Sequence, residues 1–147
     1  MEYVVFKLDE ENYTIPLEKI KEILVYSQVI ITELFAEEPW IKGLINLRGE
    51  VIPIVDLRLF FGIENASYGD NTVIIVIKTD ENKLVGIIVD NIESILQLDR
   101  QNIVPAPEMG VSIDPRYIEG LLKLNNESMT TLLNIDAVLK LEETVQE

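Results

Sequence analysis

The chain repeats itself, and that constrains its fold more than any other feature. Trp40-Ile41-Lys42-Gly43-Leu44-Ile45-Asn46-Leu47 aligns without a gap to Tyr117-Ile118-Glu119-Gly120-Leu121-Leu122-Lys123-Leu124. Beyond the following hairpin turn, Val55-Asp56-Leu57 matches Leu133-Asn134-Ile135 once a single residue is inserted, and Glu18 to Leu24 resembles Asp90 to Leu96. The matches keep their order, so chance similarity between apolar strands explains them less well than a duplication. A period of roughly 70–77 residues is too long for a solenoid unit and fits two similar small barrels. Five short strands per half would let each sheet close and hide its edges. A half of about 70 residues offers little core by itself, so the two are expected to pack around a shared one. The expected layout is a single all-β domain over residues 1–147, with halves at 3–62 and 72–141 and exchange of strands between them left open.

Local patterns agree with strands. Val4, Phe6 and Leu8 alternate with Val5 and Lys7, and the polar cluster Asp9 to Asn12 breaks the run before Tyr13-Thr14-Ile15, which is a hairpin pattern. Ile20, Ile23 and Leu24 fall at i, i+3 and i+4 and predict a short helix or turn, with strand character returning over Val25 to Ile31. A second hairpin joins Leu44–Leu47 to Val51–Val55 through Arg48-Gly49-Glu50, where Gly49 takes a positive φ at no steric cost. Pro53 cannot donate to a ladder and predicts an edge strand or a position with no ladder bond to make. Asp56 is placed to cap a short helix over Leu57 to Phe61, and Gly62 to Asn71 reads as a polar connector. The nearly continuous apolar runs Val73–Ile77 and Leu84–Val89 predict a hairpin buried on both faces. A terminal helix over Asp136 to Glu142 is expected, with Asp136 as its cap.

Composition narrows the function. Twelve Lys and Arg stand against 26 Asp and Glu, a formal charge of −14. That field repels nucleic-acid phosphates and the anionic face of a membrane. With no cysteine there is no disulfide, zinc–thiolate site or thiol nucleophile; with no histidine the commonest general base and transition-metal ligand are missing. Neither a signal peptide nor an apolar run long enough to span a bilayer is present, so a soluble cytoplasmic protein without membrane insertion is expected. The start at Met1 and the short acidic end favour a stand-alone protein over a module of a larger one.

Catalysis finds little footing. Asp56, Asp90, Asp99, Asp114 and Asp136 supply carboxylates, but most sit at turns or helix starts, where capping accounts for them. A small carboxylate-dependent hydrolase is the competing reading, and it requires two of these acids to converge in a cleft. No serine lies in a nucleophile elbow, and no phosphate-binding or calcium loop occurs, so neither cofactor nor metal is called for. Arg48 stands out: in a chain poor in cations it occupies a Gly-containing turn, where its guanidinium could hold a carboxylate in a fork. The alternative is a solvated arginine of little energetic worth. Ile20, Ile23, Tyr26 and Ile30 are either core or one wall of a groove for a partner helix. The two prolines of Val104-Pro105-Ala106-Pro107-Glu108-Met109-Gly110 stiffen a loop whose Met109 either plugs a partner's pocket or tucks into its own core.

Several segments together resemble the CheW-like family of chemotaxis coupling proteins. Trp40-Ile41-Lys42-Gly43, Ile45-Asn46-Leu47-Arg48-Gly49 and Ile52-Pro53-Ile54-Val55-Asp56-Leu57-Arg58 carry the most specific likeness. Val85-Gly86-Ile87-Ile88-Val89-Asp90, Pro105-Ala106-Pro107-Glu108 and Tyr117-Ile118-Glu119-Gly120 follow in the family's order, from about Tyr3 to Leu141. The resemblance implies two SH3-like five-stranded barrels around a shared core, with short helices at turns and at the C-terminus. It also implies a non-catalytic adaptor that joins the cytoplasmic tips of transmembrane chemoreceptors to the chemotaxis histidine kinase in membrane-associated arrays. In that family the receptor tip docks between the barrels, which points to Ile20, Glu22 and Arg48 as receptor-binding residues, the last two as an ion pair. The kinase regulatory domain pairs with the adaptor barrel to barrel, which points to Glu108 and Met109. Here the chain departs from the family, which favours an aromatic residue where Met109 stands; methionine fills space but lacks a ring's rigid area.

Overall fold

A computed structural model describes residues 1–34, 36–63, 66–105, 113–125 and 127–145. Ten strands form two five-stranded sheets: β1 (Glu2–Leu8), β2 (Glu11–Pro16), β3 (Ile20–Val25), β4 (Ile41–Leu47), β5 (Glu50–Asp56), β6 (Val73–Lys78), β7 (Leu84–Val89), β8 (Asn91–Gln97), β9 (Ile118–Lys123) and β10 (Met129–Leu133). Helix α1 (Leu57–Phe60) follows β5 and helix α2 (Ile135–Val145) follows β10. Among the described residues no helix is long and apolar enough to cross a membrane.

The strand orders are β8-β1-β2-β10-β9 and β3-β6-β7-β5-β4. These are one topology written twice: β1–β2 corresponds to β6–β7, β3 to β8, and β4–β5 to β9–β10. Each sheet therefore takes the leading hairpin of one repeat and the trailing three strands of the other. By contacts the chain gathers accordingly into two compact units, Met1–Glu18 with Ile92–Glu147, and Lys19–Asn91. The exchange that the sequence left open is thus reciprocal, and the units cut across the sequential halves 3–62 and 72–141. The joints are equivalent too: β2 pairs parallel to β10, and β5 parallel to β7.

The duplicated segment has a local physical explanation. Thr32 exchanges both backbone hydrogen bonds with Leu44 at 2.8 Å, and Val104 does the same with Leu121 at 2.9 and 2.7 Å. A Cβ on the preceding glycine would lie 2.0 Å from the Thr32 carbonyl oxygen at Gly43, and 2.6 Å from Ile103 Cγ2 and 2.7 Å from the Val104 carbonyl oxygen at Gly120. Only glycine lets the crossing segment come so close. Likewise the Trp40 carbonyl accepts from Asp56 N at 2.7 Å, and the Tyr117 carbonyl from Asn134 N at 2.8 Å, which closes the same corner twice. Gly43→Ala is expected to cost at least ~2–3 kcal/mol by forcing Thr32 off β4. The single tryptophan, Trp40, packs edge-on against Phe60 at 5.4 Å, so its emission during denaturant unfolding measures that cost.

Three local expectations are corrected. The i, i+3, i+4 spacing of Ile20, Ile23 and Leu24 does not make a helix; after a 3-10 turn at Leu17–Lys19 these residues form edge strand β3, whose burial alternates along its length. Pairing with β6 prevails over the periodicity, leaving Ile23 exposed and Leu24 against the core cluster of Ile45, Ile52, Ile54, Ile74, Val76 and Ile88. The segment after Val25 begins with a 3-10 turn, Tyr26–Gln28, rather than continuing as strand. The cap of α2 is Asn134, not Asp136: its Oδ1 accepts from Ala137 N at 3.2 Å, one residue before the helix starts.

Other expectations are met. β6 and β7 are buried through almost their whole length. Pro53 sits in an interior strand at a point with no ladder bond to make. Leu44 opposite it spends both backbone groups on Thr32, and the parallel ladder to β7 begins only at Ile54.

Candidate functional site

The β4–β5 hairpin turns in two residues, with Leu47 opposite Glu50. Both central residues lie left-handed, Arg48 at φ 51° and Gly49 at φ 87°. This is the pattern of a primed turn, matched to the twist of the strands it joins. Asn46 Oδ1 accepts from Gly49 N at 3.0 Å and braces the turn. The left-handed backbone is mildly unfavourable for arginine, by about 1–2 kcal/mol, and it projects the side chain towards β3. There Arg48 Nη1 donates to Glu22 Oε2 at 2.9 Å and Nη2 to Glu22 Oε1 at 2.7 Å. This is a fork-on-fork pair, which fixes orientation as well as distance.

The pair is half in water: the Arg48 side chain is 73% exposed and that of Glu22 26%. The hydrogen bonds from Arg48 hold the Glu22 carboxyl below the usual carboxylate range and raise the guanidinium. The fork uses two of the five N–H donors of a guanidinium, so the head group retains directional capacity for an acceptor on a partner. Leu47, next to Arg48, and Leu24 help line a groove of about 520 Å³ in which the apolar Val29, Ile30 and Ile45 alternate with the polar Gln28, Thr32 and Asn46; Ile30 is 89% exposed. Ile20 is half-buried at the start of β3, next to a bulge between Ile20 and Glu22. The structure thus joins Glu22 to Arg48 and places Ile20 on the same strand as Glu22. Glu108 and Met109 lie outside the described residues, which stop at Pro105 and resume at 113.

A second cluster escaped the sequence reading. Asp56 caps α1 by accepting from Arg58 N at 3.0 Å, as expected. The Arg58 side chain then folds back on the same carboxylate, with Nε to Oδ1 at 3.0 Å and Nη2 to Oδ2 at 2.9 Å. Nη1 donates to Asp90 Oδ1 at 2.7 Å and to the Ser67 carbonyl. Tyr68 donates its hydroxyl to Asp56 Oδ2 at 2.6 Å. Both Arg58 and Asp56 side chains are wholly buried. Burial alone would push the guanidinium down, but the bonds to Asp56 and Asp90 outweigh it and raise it further. The usable signal was Asp-x-Arg at a helix start, which lets an arginine reach back to its own cap.

Asp56 and Asp90, two of the acids the competing hydrolase reading offered, both point at the buried Arg58. Among the described residues no group of three or more acidic side chains could hold a metal ion.

The profile of the CheW-like domain matches residues 2–143. The chain is 40% identical over 142 residues to a chemotaxis protein CheW of Klebsiella aerogenes, covering 97% of this chain and 83% of that one. It is 33% identical over 140 residues to the chemotaxis protein CheW of Bacillus subtilis, covering 95% and 86%. Among solved structures it is similar to the scaffolding protein TtCheW from Thermoanaerobacter tengcongensis, with a TM-score of 0.83 and 30% identity over 94% of this chain and 86% of that one. The two five-stranded sheets and few short helices are those of its SH3-like two-domain fold.

Proposed function

The chain belongs to the CheW-like domain family, and from that premise we propose that this chemotaxis adaptor couples chemoreceptors to the chemotaxis histidine kinase by contact alone, without catalysis. The observation that carries the reading is the Glu22–Arg48 fork next to a largely apolar groove lined in part by Leu24 and Leu47. A helical receptor tip would lay apolar residues along such a groove and set an acceptor against the guanidinium. Ile20, Glu22 and Arg48 are the receptor-binding residues in this reading. Glu108 and Met109 are the residues offered to the kinase regulatory domain, and receptor binding would bring the protein to the arrays.

Binding decides the matter. The wild-type chain is expected to bind both a helical chemoreceptor cytoplasmic fragment and the kinase regulatory domain in separate titrations, and to hold both in one complex. Absence of binding to either partner overturns the adaptor reading.

A further inference from the structure

We propose that Tyr68 is a positioning residue for the partner-binding strand β3, acting through Tyr26. Tyr68 is 39% exposed and lies in the polar connector after α1, yet both its hydroxyl and its ring are engaged. Its hydroxyl donates to the buried Asp56 carboxylate at 2.6 Å, and burial together with that carboxylate raises the phenol, which stays a donor throughout the neutral range. Its ring stacks on Tyr26 with centroids 4.7 Å apart and planes at 21°. The Arg58 guanidinium lies 4.7 Å and Lys42 Nζ 5.4 Å from the ring centre.

Its neighbours are tied as well. The Ser67 carbonyl accepts from Arg58, Gly69 N donates to Thr72 Oγ1 at 2.9 Å, and the Thr72 carbonyl accepts from Tyr26 N at 3.0 Å. Residues 66–72 are therefore a strap, fixed at one end to a buried ion pair and at the other to Tyr26. Tyr26 directly follows β3, an edge strand bonded within its sheet only by β6. Edge strands open from their ends. Holding Tyr26 therefore holds the end of the strand that carries Ile20 and Glu22, and keeps Glu22 where Arg48 can fork it.

This inference rests on the reading of β3 as the receptor-binding strand, so the test has a readout that needs no partner. Amide hydrogen exchange is measured on the wild type, Tyr68→Phe and Tyr68→Ala. Tyr68→Ala is expected to speed exchange at residues 22–26 by about threefold to tenfold, the range one stacked aromatic contact sustains, while β6 and β7 keep their protection. Tyr68→Phe, which keeps the ring and loses the hydroxyl, gives a smaller acceleration, and dissociation constants for the receptor fragment rise in the same order. Unchanged exchange at 22–26 overturns the proposal, as does equal acceleration through β6 and β7, which marks a merely structural role. Faster exchange with unaltered receptor affinity overturns it too. A wild type that binds no receptor fragment defeats the functional reading instead, and the exchange data alone then decide whether Tyr68 positions β3.

Discussion

Arg58→Ala is expected to lower the stability of the Lys19–Asn91 unit by about 3–5 kcal/mol, the cost of leaving a buried carboxylate without its partner. Asp56 is wholly buried and takes two hydrogen bonds from the Arg58 side chain. Against a total stability of roughly 5–15 kcal/mol for a domain, that loss leaves little margin. Trp40 reports it directly, because Phe60 at the end of α1 lies against the indole. The companion variant Asp56→Asn/Arg58→Leu removes both charges together. It should recover a sizeable part of the loss, since the penalty belongs to the stranded charge more than to the missing attraction. A loss below about 1 kcal/mol in Arg58→Ala would show that water reaches Asp56 and that the cluster does not hold this unit together.

Arg48→Ala is expected to weaken binding of the receptor fragment by about tenfold to hundredfold while leaving the kinase regulatory domain bound as before. Its effect on folding should be small, because the head group is mostly in water and exposed ion pairs contribute little to stability. Glu22→Gln separates two ways for the arginine to act. If the fork only shapes the surface, Glu22→Gln weakens receptor binding as much as Arg48→Ala does. If the guanidinium itself reaches the receptor, Glu22→Gln costs much less. Acidity gives an independent check on the pair. The folded Glu22 carboxyl is depressed below its ordinary 4.5, so the fork is intact above that value and is lost as pH falls through the depressed one. The fork's share of receptor affinity should therefore persist down to the ordinary carboxylate range and decline only below it, with Arg48→Ala lacking that decline. Equal loss of both partners in Arg48→Ala would mean that one surface serves both.

Much of this could be read before the structure. The turn at Arg48-Gly49 demanded residues tolerant of positive φ next to alternating apolar runs, and its hydrogen bonds are local, so spacing alone located it. Arg48 was conspicuous because cations are scarce; its pairing with Glu22 came from family likeness and not from spacing, because 26 residues separate them. The fold-back of Arg58 could not be seen in the same way. A guanidinium near a capping aspartate is commonplace on a surface, and only burial by β7 and the connector turns it into a structural ion pair. Tyr68 was hidden for the same reason: its partners come from two other stretches of chain, Tyr26 from one and Asp56 with Arg58 from the other. Of the short helix or turn expected over Glu18 to Leu24, only a 3-10 turn at Leu17–Lys19 forms, because edge pairing with β6 set the periodicity from Ile20 on.

The sequence by itself determined that the chain is a duplicated array of short strands. It also determined where the hairpins turn, and that Gly43 and Gly120 hold equivalent places in the two copies. These are properties of local sterics and of a two-residue side-chain period, and both are written in neighbouring residues. Only the tertiary structure decided that β1–β2 joins β8, β9 and β10 while β6–β7 joins β3, β4 and β5. Two similar copies offer each apolar hairpin two chemically equivalent sets of partners, so local preference cannot choose between them. The parallel joints β2–β10 and β5–β7 that make the choice are long-range, and their formation depends on loop closure and burial rather than on any short stretch of chain.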